Sequence, residues 1–138
     1  MVDPLGITAS IIAVLQLTGT VVGYLKDVKD GSGDRKRILS EVVTIEAFLS
    51  ILKQRAESPD HRDEWLQTLT SLNTPKGPIE QFKLTLECLN SKLQPTGAPK
   101  KTLQVLAWPF HKQEVNDILW MLDRQTSLFK LALQNDHM

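Results

Sequence analysis

Between Asp3 and Lys26 the chain carries no charged side chain, and this run constrains everything that follows it. Asp3 before Pro4 marks a helix start. The carboxylate can accept from the unpaired N–H groups of the first turn, and proline at the first helical position forfeits no hydrogen bond. The helix is expected to run to about Val28, ahead of the breaker Gly31-Ser32-Gly33. At 1.5 Å per residue it would be ~36 Å long, enough to cross the core of a bilayer.

Its faces differ. Ile7, Ile11, Val14, Val21, Leu25 and Val28 fall on one helical stripe, with Thr18 its one break. Leu5, Ile12, Leu15 and Val22 widen that stripe, while Ala9, Ala13, Gln16, Thr20, Gly23 and Asp27 leave the other face small and polar. Gly19 and Gly23 stand in a G-x-x-x-G spacing, which lets two helix backbones approach closely in lipid. Two roles fit such a segment. One is the core helix of a soluble bundle, apolar because its neighbours surround it; the other is a helix able to transfer into a membrane. Its Thr, Ser and Gln residues argue against a permanent span, and the two roles can belong to different states of one protein.

A chain of 138 residues is expected to form one domain with a real core. Sixteen basic and sixteen acidic residues cancel, so no overall field draws it to nucleic acid. Cys88 is the single cysteine, which excludes an internal disulfide and suits a reducing, cytoplasmic compartment. No basic segment precedes the apolar run, as a secretory signal would require, and neither a myristoylation start nor a prenylation box is present.

A second helix is expected from Arg35 to Glu57, with Ile38, Val42, Ile45, Leu49, Leu52 and Ala56 as its core stripe, widened by Leu39, Phe48 and Ile51. Arg35, Arg37, Glu41, Glu46, Lys53 and Arg55 mark its outer face, where Arg37 and Glu41 stand four apart. A short third helix ends at Leu72 and is capped by Asp60 or Asp63, burying Trp65, Leu66, Leu69 and Leu72. The fourth, Ile79 to Leu93, is the most regular: Ile79, Phe82, Leu86, Leu89 and Leu93 face inward, and Lys83, Glu87 and Asn90 outward. A short helical stretch, Thr102 to Trp108, meets Pro109, which interrupts it. The last helix, about Phe110 to Leu133, offers Val115, Ile118, Leu119, Leu122, Phe129 and Ala132 to the core. No alternating strand pattern appears. The expected fold is all-α, an antiparallel bundle of four long helices plus one or two short ones.

Catalytic chemistry finds no footing here. His61, His111 and His137 lack carboxylates at ligand spacing, and neither H-E-x-x-H nor a Cys/His cluster occurs, so no metal or other cofactor is expected. Gly31-Ser32-Gly33 has no G-K-[ST] after it and no strand before it, which leaves no phosphate loop. Cys88 has no neighbouring His and is expected as a small core residue. The chain reads as non-enzymatic. Two basic clusters remain: Arg35, Lys36 and Arg37, and Lys100 and Lys101 with Lys112. Each basic side chain near an anionic lipid surface is worth ~1 kcal/mol. Trp108 beside Phe110 suits the core or a membrane interface, the core being the expected use.

The opening Asp3-Pro4-Leu5-Gly6-Ile7-Thr8-Ala9-Ser10-Ile11-Ile12-Ala13-Val14-Leu15-Gln16-Leu17 resembles the start of fungal HeLo-like (HELL) domains, the N-terminal domains of many STAND (NLR-type) proteins. Leu106-Ala107-Trp108-Pro109-Phe110, followed by a Leu-rich helix to Leu131-Ala132-Leu133, resembles that family's C-terminal portion. Gly6 stands where Ser is common in the family, and Val2 is an extra residue before the Asp. The resemblance spans nearly all of 1–138 and implies one domain, the effector fragment of a longer receptor. It implies a cell-death effector related to HeLo domains of fungal heterokaryon incompatibility and to the four-helix bundle of mixed-lineage kinase domain-like proteins. Such a domain waits in the cytoplasm until a downstream NTPase or amyloid-type signalling region clusters it. It then exposes its first helix and permeabilises the plasma membrane. The alternative is a bundle that recruits partners or self-associates without touching lipid. On the membrane reading, an Asp at Ile11 or Val14 abolishes activity and spares the fold.

Overall fold

The structure, a computed structural model, describes residues 4–28, 33–57, 67, 70–93 and 108–135. Four long helices account for nearly all of them: α1 (Pro4–Asp27), α2 (Asp34–Glu57), α3 (Pro78–Leu93) and α4 (Lys112–Asn135). No strand occurs among the described residues, and the class is all-α. Asp3, most of the expected short third helix and the stretch 94–107, with Lys100 and Lys101, lie outside them. Of the third helix only its end is described, where Leu72 is buried.

Three of the four helix starts have a local cause among the described residues. The Gly33 carbonyl accepts from the Arg37 N–H at 3.2 Å, and Gly33 holds φ +85, a left-handed value that costs glycine little. Before α3, the Glu80 carboxylate reaches back to the Lys76 N–H at 2.5 Å, and Gly77 donates to the Thr74 carbonyl at 2.8 Å. A Cβ on Gly77 would stand 2.7 Å from Thr74 Oγ1 and 2.8 Å from the Thr74 carbonyl oxygen. Gly77→Ala is therefore expected to destabilise the domain by about 1–3 kcal/mol, read as a lowered urea midpoint with an unchanged slope. Before α4, Glu114 accepts from the His111 N–H at 3.0 Å and pairs with Lys92. The His111 hydrogen bond first, and Lys92 second, hold its carboxyl below the usual carboxylate range.

The helices form a bundle in which α1 packs on α2 and α3, and α4 also packs on α2 and α3. Arg35 at the start of α2 reaches Leu25 at the end of α1, so these two run antiparallel. Lys92 with Glu114 and Thr85 with Gln125 set α3 antiparallel to α4. Between α2 and α4, Asp34 meets Lys112 and Glu41 meets Thr126, so both partners advance together. Consecutive helices thus alternate in direction within the two hairpins, whereas α2 and α4 lie side by side pointing the same way.

The expected core stripes are where they should be. Ile7, Ile11, Val14, Val21, Leu25 and Val28 of the first segment are buried, as are Ile38, Val42, Ile45, Leu49 and Leu52 of α2. Thr18, the polar break, is fully buried and satisfies its hydroxyl on the Val14 carbonyl at 2.7 Å. Phe82 and Phe129 meet edge to face at the α3–α4 seam, centroids 6.5 Å apart. Phe110 is buried, but α4 begins two residues later, and Trp108 packs half-buried against it at 4.9 Å.

Several expectations change. Cys88 is exposed, because Thr85, Leu86 and Leu89 take the inward phase of α3 and leave position 88 outside. Asn90 is half-buried, and Ile51 is exposed. Arg37 pairs with Asp34 at 3.5 Å, and Glu41 accepts instead from Thr126 at 3.1 Å across the α2–α4 contact. The Ala56 side chain lies outside the described set.

Candidate functional site

Helix α1 is one wall of the bundle, not its axis. Gly6–Asp27 is the one span among the described residues long and apolar enough to cross a membrane, and 33% of its most apolar window is buried. A core helix wrapped on all sides would bury far more. Ile7, Ile11, Val14, Val21 and Leu25 face the core, Ile12, Leu15 and Val22 are half-buried, and the Leu5 side chain lies outside the described set.

The other face is open. Ala9, Ala13, Gln16, Gly19, Thr20, Gly23 and Asp27 are all exposed. A Cβ built on Gly19 or on Gly23 meets nothing within 4 Å. Glycine inside a helix costs roughly 0.5–1 kcal/mol relative to alanine, and no close approach among the described residues requires it at either position. The small-residue face is thus exposed on the folded domain.

Among the described residues, the polar fastening of α1 to other helices lies at one end. Arg35 Nη1 donates to the Leu25 carbonyl at 2.9 Å, capping the last turn of α1 from the next helix. Among the described residues this is the one hydrogen bond from another helix to α1, since Thr18 and Thr20 bond within their own helix. Among the described residues, the rest of what packs on α1 is apolar. The same end gathers charge from the other helices. Asp34, 5% exposed, takes Lys112 of α4 at 3.2 Å and Arg37 at 3.5 Å, while Lys92 of α3 pairs with Glu114 of α4.

This geometry redistributes the expected basic residues. Lys112 joins Lys36 and Arg37 at one end of the bundle, and all three are exposed. Arg35 is half-buried and engaged with Leu25, which withdraws its guanidinium from the headgroup role in this state. Lys100 and Lys101 lie outside the described residues.

One surface residue went unassigned by the sequence reading. Trp120 on α4 is 64% exposed, with the Arg124 guanidinium 5.8 Å from its ring centre. Its phase was the available signal: Ile118 and Leu122 face the core, so a residue midway between them faces out. Among the described residues, no three His, Cys, Asp or Glu side chains stand where they could share a metal ion. Comparison with protein-family models, with curated proteins and with solved structures finds no match.

Proposed function

We propose that this chain is a HeLo-like effector domain of regulated cell death, a bundle that clusters on activation, releases α1 and permeabilises the plasma membrane. The observation that carries the reading is α1 itself. It is long and apolar enough to span a bilayer, yet it forms a wall of the bundle with an open small-residue face. Released into lipid, the stripe from Ile7 to Leu25 would exchange one apolar environment for another. Ala9, Ala13, Gly19 and Gly23 would then bring α1 copies together, where close backbone approach replaces the hydrophobic drive that lipid removes. Lys36, Arg37 and Lys112, exposed at the end where α1 stops, are placed to meet anionic headgroups. In this reading the whole chain, 1–138, is one bundle of four long helices with short helical connections. It would be driven by a downstream NTPase or signalling region, with no cofactor, catalytic residue or nucleic acid involved.

The test is dye release from phosphatidylserine-containing and neutral liposomes, with the domain clustered by a fused oligomeriser. Leakage that depends on clustering and is greater from the anionic vesicles is the expected result. A clustered domain that neither leaks nor co-sediments with either vesicle overturns the reading. In that event a non-enzymatic protein–protein interaction module becomes the better account, favoured by the exposure of Trp120 and Leu131 on α4.

A further inference from the structure

Trp120 stands on α4 as a ridge between two open depressions. One, on the α2 side, is lined by Lys36, Arg37, Glu41, Leu119 and Asp123; the other, on the α3 side, by Lys76, Gln81, Met121 and Leu128. Leu128 and Leu131, 39% and 54% exposed, follow Trp120 by eight and eleven residues and so share its side of the helix. Scattered exposed leucines are ordinary, but a large aromatic standing clear of the core beside a groove is the kind of residue that anchors interfaces.

We infer that this face of α4 pairs with the same face of a second copy of the chain, each Trp120 seating in the α2–α4 groove of the other. Charge decides between occupants. The groove holds two bases, Lys36 and Arg37, and two acids, Glu41 and Asp123. An anionic bilayer laid along this face, and not against the bundle end where Lys112 stands with Lys36 and Arg37, would meet Glu41 and Asp123 as well as the bases. A uniformly charged protein would meet like charge on one side. A two-fold partner presents both signs in reverse order, so that residue i of one copy meets residue j of the other and the reverse. Shape agrees: a ridge beside a groove on one face is complementary to itself. Position agrees as well. Helix α4 packs on α2 and α3, so pairing through it leaves the open face of α1 uncovered on both copies. The pairing does not rest on membrane activity, and its test contains no clustering tag.

Sedimentation equilibrium of the untagged domain across a concentration series is expected to show a dimer. Trp120→Ser should weaken it roughly thirtyfold, the loss of ~2 kcal/mol expected of a central aromatic anchor, with the thermal midpoint of the monomer unchanged. Lys36 and Asp123 are both exposed, so reversing either leaves the fold alone. Lys36→Glu and Asp123→Lys should each be monomeric by themselves and should form a heterodimer when mixed, since each then presents the sign the other lacks. A wild-type domain that stays monomeric at every concentration overturns the inference, as does a dimer indifferent to Trp120→Ser. So does a monomer that binds phosphatidylserine vesicles through Trp120, which would assign this face to lipid.

Discussion

Ile11→Asp is expected to unfold the domain in water. Ile11 is fully buried on the core stripe of α1. Truncating a buried isoleucine costs about 2–5 kcal/mol, through lost burial and the cavity left behind. Along that stripe a carboxylate put in its place finds no cation: Ile7, Val14 and Leu25 line it, and its buried polar side chain, Thr18, already bonds to its own helix. Burying that carboxylate adds a penalty of several kcal/mol, or else raises its pKa until it is neutral. Against a total stability of ~5–15 kcal/mol for an ordinary domain, the sum leaves little or nothing. Val14→Asp, at a position 3% exposed, should behave in the same way. Circular dichroism with a urea series reads the result directly. A folded Ile11→Asp domain with a wild-type midpoint would mean that α1 is not held as described.

This outcome changes how α1 must be probed. An Asp at Ile11 or Val14 looks, from the sequence, like a clean way to block membrane insertion, because the stripe could as well face lipid as core. In the folded domain the stripe is core. Loss of activity in either variant would report unfolding and nothing about lipid.

What the sequence made legible is periodic. Spacings of three and four put Ile38, Val42, Ile45, Leu49 and Leu52 on one side of α2, and they are all buried. Burial follows from local phase once a helix forms, so such stripes need no knowledge of their neighbours. Phase also predicts that Trp120 lies outside, and would have predicted the same for Cys88 had its position been weighed against Leu86 and Leu89. Ring order is different in kind. Nothing in the spacing of α2 or α4 says that they lie side by side, and that adjacency is what carries Lys112 to Asp34 and Glu41 to Thr126. The same holds for Arg35. As a charge at the start of a helix it reads as solvated, yet its partner is a carbonyl ten residues back, brought near by the turn between α1 and α2. The candidate site was therefore visible as a helix with two faces, while the way that helix is fastened was not.

Ala13→Asp, in contrast, is expected to leave the folded domain intact and to abolish leakage. Ala13 is exposed near the middle of α1, on its small, exposed face. In water the substitution gives up only helix propensity, about 0.5–0.7 kcal/mol, and the new carboxylate stays solvated. In a bilayer the same carboxylate lies deep in the hydrocarbon, at ~2.5–3.5 kcal/mol per copy, on the order of a hundredfold against insertion of each α1. Clustering aggravates the effect. Copies meeting through Ala9, Ala13, Gly19 and Gly23 would bring their new charges together in a medium that screens them poorly. The urea midpoint should therefore move little while dye release from clustered protein falls to the background of liposomes alone. Ala13→Ser, which keeps the side chain small and uncharged, should retain leakage and so separates charge from mere alteration of the face. If Ala13→Asp leaks as well as the wild type, α1 does not enter the bilayer at this depth, and any permeabilisation must come from another part of the bundle.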